Sequence, residues 1–348
     1  MSCTLYYPGL LGPAVPLEAL PAQDWPATEQ LPCLTRLFSV SQLQALDKTS
    51  IEARILHGVG LAFESETALP VAKLRAQRCG LQTEAMWCLD PVHVQIDQDE
   101  AVLVANEGIE LSAHEAQHLI EDLNQHLAQD GLRIHYYQPH QWLLEGDFAL
   151  TTQSIYDVMQ QRLQSYQPQG QDASRWQALL NELQMLLYTH SVNEQRELRQ
   201  EPTVNSLWLW GGGRDYQYEK IVDVVYSNDH FVQEISDACD IRYQVLPEKL
   251  DASLLASAPD QTHLMVLTEQ MTAIKQNDVF AWFDYLSDFE NRFIAPLFDM
   301  LKQDRLDHLT IYSDTISLQL TKKRLTSWWR RNKAFPARIL QLRTDYGY

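Results

Sequence analysis

The feature that most constrains this chain is a series of short apolar runs separated by helix-length stretches in its second half. SLWLW (206–210), IVDVVYS (221–227), IRYQVL (241–246), HLMVLT (263–268) and HLTIYS (308–313) are strand candidates, with helical spacing at 229–239 and about 278–303 between them. Short apolar strands that alternate with helices belong to a sheet covered on both faces, which is the parallel sheet of an α/β protein. CTLYY (3–7), closed by Pro8-Gly9, reads as its first strand. Parallel sheets bind ligands at the carboxyl ends of their strands. The ends of SLWLW and HLTIYS are therefore where chemistry is expected.

The first half has a different texture. Residues 12–32 contain five prolines and read as loop. Helical spacing follows at 40–57 and 66–78. After Trp87, VHVQI (92–96) and AVLVA (101–105) read as a hairpin with Asp97 and Asp99 between them. Ser112 and Glu115 have capping-box spacing, the helix AQHLIEDLNQHLAQ follows, and Gly131 is placed to stop it. LRIHYY (132–137) and QWLLEG (141–146) return as strands, and helices are expected at 151–165 and 174–189. The division that results is an α/β core over 1–87 and 151–320, a small inserted α+β domain over 88–150, and a tail over 321–348. A length of 348 residues accommodates it.

Charge narrows the partners. The net charge is −19, yet residues 321–348 hold eight Lys/Arg against Asp345 alone. That tail is +7, which leaves −26 for the rest. So acidic a body excludes nucleic acid as the main partner, because phosphate binding needs local positive charge. The tail interleaves Trp328-Trp329 with basic residues, and it offers a contact for the acidic body, a second copy or a protein partner. No apolar run is long enough to span a membrane, and the N-terminus lacks the basic start of a signal peptide. No membrane partner is expected, and the location expected is cytoplasmic. Five scattered cysteines without a C-x-x-C pair read as free thiols.

Four sets of residues are candidates for chemistry. Gly211-Gly212-Gly213-Arg214 after a strand has the makings of a phosphate cradle, with Arg214 as clamp. Asn205, Trp208 and Trp210 stand beside it as ligand-binding candidates. Asp314, in Ser313-Asp314-Thr315, sits at a strand end as a candidate metal ligand or a turn residue. His114-Glu115-Ala116-Gln117-His118 matches the zinc motif H-E-x-x-H, but both histidines fall opposite the apolar stripe of their helix and Glu115 already serves the capping box. His190, Asn193, Arg196 and Arg199 cluster before SLWLW as a further anion-site candidate.

VNSLWLWGGG (204–213) resembles the N-x-x-W-x-W-G-x-G element of archaeal-type cofactor-independent phosphoglycerate mutases, and LSAHEAQHLIEDLNQHL (111–127) is similar to a helix of their inserted domain. Asp90-Pro91-Val92-His93 with the full VNSLWLWGGG run looks closer to a proteobacterial group labelled RpfE-type regulatory protein. The resemblance implies an alkaline-phosphatase-like α/β core. It also implies, for an active relative, two divalent metals (Mn or Mg) and a serine that carries the phosphoryl group. Mapped onto this chain, Ser50 corresponds to that serine and Asp314 to a metal ligand. The other ligand positions hold Pro8-Gly9, Thr315 and EQMTAIKQND, and Arg54 stands where an Asn is expected. The expectation is a degenerate member without cofactor that binds a small phosphorylated metabolite. The alternatives are a metal-dependent mutase or phosphotransferase, and an H-E-x-x-H zinc hydrolase.

Overall fold

The computed structural model describes residues 2–27, 29–82, 85–97, 100–159, 161–251, 261–327 and 329–347. Asp99 and Trp328 lie outside the described residues. The chain forms two compact units, Met1–Gly60 with Tyr218–Tyr348, and Leu61–Gln217. The second unit is wider than the 88–150 segment expected from texture.

The first unit is built on a seven-stranded sheet in the order Arg242–Gln244, Val224–Tyr226, His263–Val266, Ser2–Tyr6, His308–Tyr312, Ile316–Thr321, Gln42–Ala45. The first five are parallel, and the last two are antiparallel at one edge. The α/β class with a mostly parallel, helix-flanked sheet is as expected. Cys3, Leu5 and Tyr7 point from the central strand into a core shared with helices Pro32–Val40, Val279–Phe289 and Ala295–Lys302. Trp282, Phe283, Leu286 and Phe289 line the inner face of one helix at helical spacing. Glu290 accepts from the backbone N–H groups of Cys33 and Leu34, both at 2.8 Å, and so caps the helix Pro32–Val40.

Three local expectations need correction. The helix expected over 40–57 is a strand, Gln42–Ala45, followed by a helix, Ile51–Gly58. Pairing with Ile316–Thr321 overrides the helical spacing there. Among the described residues, the helices in the stretch 151–165 are the turn-length Ile155–Val158 and Leu163–Tyr166. SLWLW is not in the parallel sheet. It pairs antiparallel with Cys88–Val92 in the second unit, and all five of its residues are buried.

The basic segment is part of the first unit's core. Phe335, Ile339 and Leu342 of the helix Phe335–Asp345 are fully buried. Arg343 donates to the carbonyls of Leu11, Pro13 and Val15 at 2.8–2.9 Å, Arg338 to Phe38 and Arg324 to Val40.

The second unit has a five-stranded antiparallel sheet, Ser206–Trp210, Met86–Asp97, Gln141–Glu145 and Arg133–Gln138, with Glu100–Ala105 paired to Met86–Asp97. The helices Ala113–Leu127 and Ala173–Tyr188 bury Ala116, Leu119, Leu123, Trp176, Leu180 and Leu183 in a separate core. Ser112 and Glu115 form the expected capping box, and Gly131 ends the helical stretch with φ 69°. Among the described residues no helix is long and apolar enough to cross a membrane.

Candidate functional site

The carboxyl ends of the parallel strands bring together Tyr7-Pro8-Gly9, Ser227–Asp229, Thr268–Gln270 and Ser313–Thr315. Asp314 lies in the tight turn between two antiparallel strands, where Ser313 N donates to the Ile316 carbonyl at 2.9 Å. Its Oδ2 accepts from Gly9 N at 2.7 Å. Asp229 is occupied at both oxygens, Oδ1 by Phe231 N at 2.9 Å and Oδ2 by the Thr268 hydroxyl at 2.8 Å. Glu269 accepts from the Asn228 amide at 2.6 Å and faces Arg292 at 3.9 Å. Ser50 is the N-cap of the helix Ile51–Gly58, and its Oγ accepts from Ala53 N at 3.2 Å.

A two-metal centre needs several anionic oxygens or imidazoles converging on each ion. The carboxylates at this edge instead accept hydrogen bonds from protein donors. Among the described residues, no three His, Cys, Asp or Glu ligand atoms here lie close enough to one another to share an ion. The donor set does not fit a pair of divalent metals.

The second set of candidates lies in the Leu61–Gln217 unit. Gly213 N donates to the Leu69 carbonyl and the Gly211 carbonyl accepts from Ala72 N, both at 3.0 Å. A Cβ on Gly212 would sit 2.4 Å from the Trp87 ring, and one on Gly213 would sit 2.0 Å from the Ala68 carbonyl oxygen. The glycines thus let two backbone segments and an indole approach closely. Arg214 pairs with Asp147, and the neighbouring open pocket also carries Glu64 and Asp215. That surface is acidic, which disfavours a phosphate.

The Asn205 amide exchanges hydrogen bonds of 2.8 Å with both Val94 backbone groups and extends the strand ladder. Trp208 Nε1 donates to the Gln153 carbonyl at 3.0 Å, and Trp210 Nε1 to Asp90 at 2.7 Å. Asp90 and Arg75, both 1% exposed, approach to 3.7 Å, and the guanidinium lies 5.5 Å from the Trp210 ring centre. This buried cation, carboxylate and indole cluster is a locking point of the fold. Sequence spacing gave no sign of it, since Arg75 sits 135 residues before Trp210.

The H-E-x-x-H helix does bring metal-ligand types together, though not the motif's own pair. His118, Asp122 and His190 have ligand atoms within 4.8 Å of one another. His190 caps the helix Ser191–Leu198, and its Nδ1 accepts from Val192 N at 3.1 Å. Its proton is therefore on Nε2, 3.0 Å from Asp122 Oδ2. A metal would need that same Nε2 lone pair, and a ligating histidine normally donates from its other nitrogen. Burial holds His190 below the usual imidazole pKa, with Asp122 opposing. Glu115 accepts from Ser112 N and from Arg199 at 2.6 Å and Arg196 at 3.2 Å. Burial alone would raise its pKa, but these donors bring it down to about 2. So weak a base cannot activate water at neutral pH. Asn193 bridges the Leu187 and Val204 backbones, and Arg196 and Arg199 are paired with Glu115 and Glu201. That set is structural.

Comparison with known proteins adds a partial likeness. Residues 84–193 match the model of the 2,3-bisphosphoglycerate-independent phosphoglycerate mutase family. Enzymes of that description from Methanosarcina mazei and Methanosarcina acetivorans are 25% and 27% identical over 107 residues, 30% of this chain. The chain spans only 27% of the length of these curated relatives. Among solved structures, the cofactor-independent phosphoglycerate mutase of Thermoplasma acidophilum aligns over 97% of this chain and 94% of its own, with 13% identity and a TM-score of 0.46. A Pyrococcus horikoshii protein aligns over 98% of this chain and 92% of its own, with 11% identity and a TM-score of 0.50. The fold is thus that of the Pyrococcus protein, and a distant phosphoglycerate-mutase-like relation is carried by residues 84–193.

Proposed function

We propose that this chain is a phosphoglycerate-mutase-like protein without two-metal phosphoryl transfer, which acts as a binding or regulatory protein of the RpfE type. The observation that carries this reading is the state of the carboxylates at the sheet edge. Asp314 is held by Gly9 N, and Asp229 by Phe231 N and the Thr268 hydroxyl. Among the described residues, no further His, Cys, Asp or Glu ligand atoms converge with them on a common ion. The ligand class in this reading is a small phosphorylated metabolite, and the location is cytoplasmic.

The likeness of residues 84–193 to mutases favours a second reading, a metal-dependent mutase with Ser50 as phosphoryl carrier. One experiment separates the two. Full-length protein, purified without chelator, is analysed for bound metal and assayed for interconversion of 2- and 3-phosphoglycerate with added Mn or Mg. The expected result is no tightly bound metal and no turnover. Mn-dependent turnover that disappears in Ser50→Ala and in Asp314→Ala would establish the enzyme reading instead. A thermal-shift screen of phosphorylated metabolites then tests binding, because a ligand of the native state must raise its stability.

A further inference from the structure

The face of the central sheet opposite the main core carries a cleft. Strand alternation sends Thr4 and Tyr6 to that face, while Cys3, Leu5 and Tyr7 enter the core. Parallel register sets Leu264 beside Thr4, and Val266 and Tyr312 beside Tyr6. These residues floor a cleft of about 290 Å³, and the helix Ile51–Gly58 walls one side with Arg54 and Ile55. Leu264 and Val266 are 3% and 1% exposed, so the floor is closely packed aliphatic side chain, with Thr4, Tyr6 and Tyr312 lining the cleft beside it.

Arg54 gives the cleft its sign. Its Nη2 donates to the carbonyls of Asp47 at 2.7 Å and Asp314 at 3.4 Å. These two bonds anchor the guanidinium but leave its charge unbalanced. Among the described residues, no carboxylate oxygen lies within 4 Å of it, in a chain whose net charge is −19. Small-molecule sites are concave, mostly apolar, and carry a few polar groups that orient the ligand. We infer that this cleft is a ligand site for a small anion with an apolar body, its acidic group on Arg54 and its body over Leu264 and Val266. The site lies on a sheet face and adjoins the strand ends considered above, since Arg54 rests on the Asp314 carbonyl. It goes beyond the reading of the protein as a binding protein and does not depend on whether turnover occurs.

The test uses two fluorescent probes on the full chain, 1-anilinonaphthalene-8-sulfonate and its uncharged counterpart N-phenyl-1-naphthylamine. The wild-type protein should bind one sulfonate per chain, saturably, and prefer it over the neutral probe by about tenfold or more, the value of one charge-assisted contact. Arg54→Met keeps the aliphatic stem and should abolish that preference while leaving the neutral probe's affinity in place. Thr4→Phe fills the floor and should weaken both probes. Circular dichroism and thermal unfolding verify that each variant is folded, and either variant suffices if the other is not. Equal affinity for the two probes in the wild-type protein, or sulfonate binding unchanged in the folded variants, would overturn the assignment.

Discussion

Glu115 closes the capping box with Ser112 and ties Arg196 and Arg199 to the first turn of its helix. Its ionised form is worth more in the folded protein than in the unfolded chain, because its pKa falls from 4.5 to about 2 on folding. The stability this carboxylate contributes is fully present above pH 4.5 and drains as the pH falls toward 2. Glu115→Gln should therefore destabilise the protein by about 1–3 kcal/mol at pH 7, through the weakened cap and a buried Arg196 left with only Glu201, at 3.5 Å, as its anion. Urea unfolding at pH 7, 4 and 2.5 checks this, and the gap to wild type should narrow at each step down in pH. The glycine loop supplies a second residue-scale case. Gly213→Ala drives a methyl group against the Ala68 carbonyl, with no flexible side chain to yield, and should cost about 1–3 kcal/mol. Arg214→Ala removes only a half-exposed ion pair and should stay within about 0.5 kcal/mol in the same unfolding assay. An anion cradle would add a loss of anion binding in Arg214→Ala, which the structural role of the loop does not predict.

At the scale of elements, the helix Phe335–Asp345 decides how the basic segment is regarded. It buries Phe335, Ile339 and Leu342 completely against the helix Pro32–Val40 and the first unit's core. Phe335→Ala should cost about 3–5 kcal/mol by denaturant unfolding. Cutting the chain at 321 should yield aggregated protein rather than a soluble body with a surface removed. The sequence could not show this, because basic residues mask a helix whose buried face is only three or four residues wide. Arg343, the cation that looks most like tail charge, is 9% exposed and spends its donors on three carbonyls of the proline-rich loop. The elements that were legible share one property, a local pattern that tertiary contacts do not contradict. The capped helix Ala113–Leu127 and the strands Ser2–Tyr6 and His263–Val266 are of this kind. The edge strand Gln42–Ala45 was not legible, since QLQA is short and mostly exposed and forms only because Ile316–Thr321 lies beside it. The role of Asp314 was half legible. Ser-Asp-Thr between two apolar runs is a turn signal, but a reading directed to strand ends makes it a ligand. Arg54 and its cleft were invisible, because they depend on three strands and a helix drawn from distant parts of the sequence.

At the scale of the whole molecule, each unit has a hydrophobic core, and among the described residues these two cores share no member. The −26 of the body is spread over both units, while much of the +7 segment bonds to backbone carbonyls of the first. A large net charge dispersed over a surface favours solubility. The points where the chain leaves and re-enters the first unit are neighbours. Glu219 N donates to the Gly60 carbonyl at 3.0 Å, and Gly60, at φ 100°, has no room for a Cβ, which would lie 1.9 Å from the Glu219 oxygen. An insertion whose ends meet in this way can be removed without stretching the host chain. Two pieces follow, residues 61–217 alone, and 1–60 joined to 218–348 through two or three glycines. The first holds Trp87, Trp142, Trp176, Trp208 and Trp210, all buried, so its tryptophan fluorescence reports its own packing. Each piece should unfold in one cooperative urea transition, and Gly60→Ala should destabilise the host piece. If 61–217 lacks near-ultraviolet circular dichroism and unfolds without cooperativity, its core depends on the rest of the chain and the two-unit account fails.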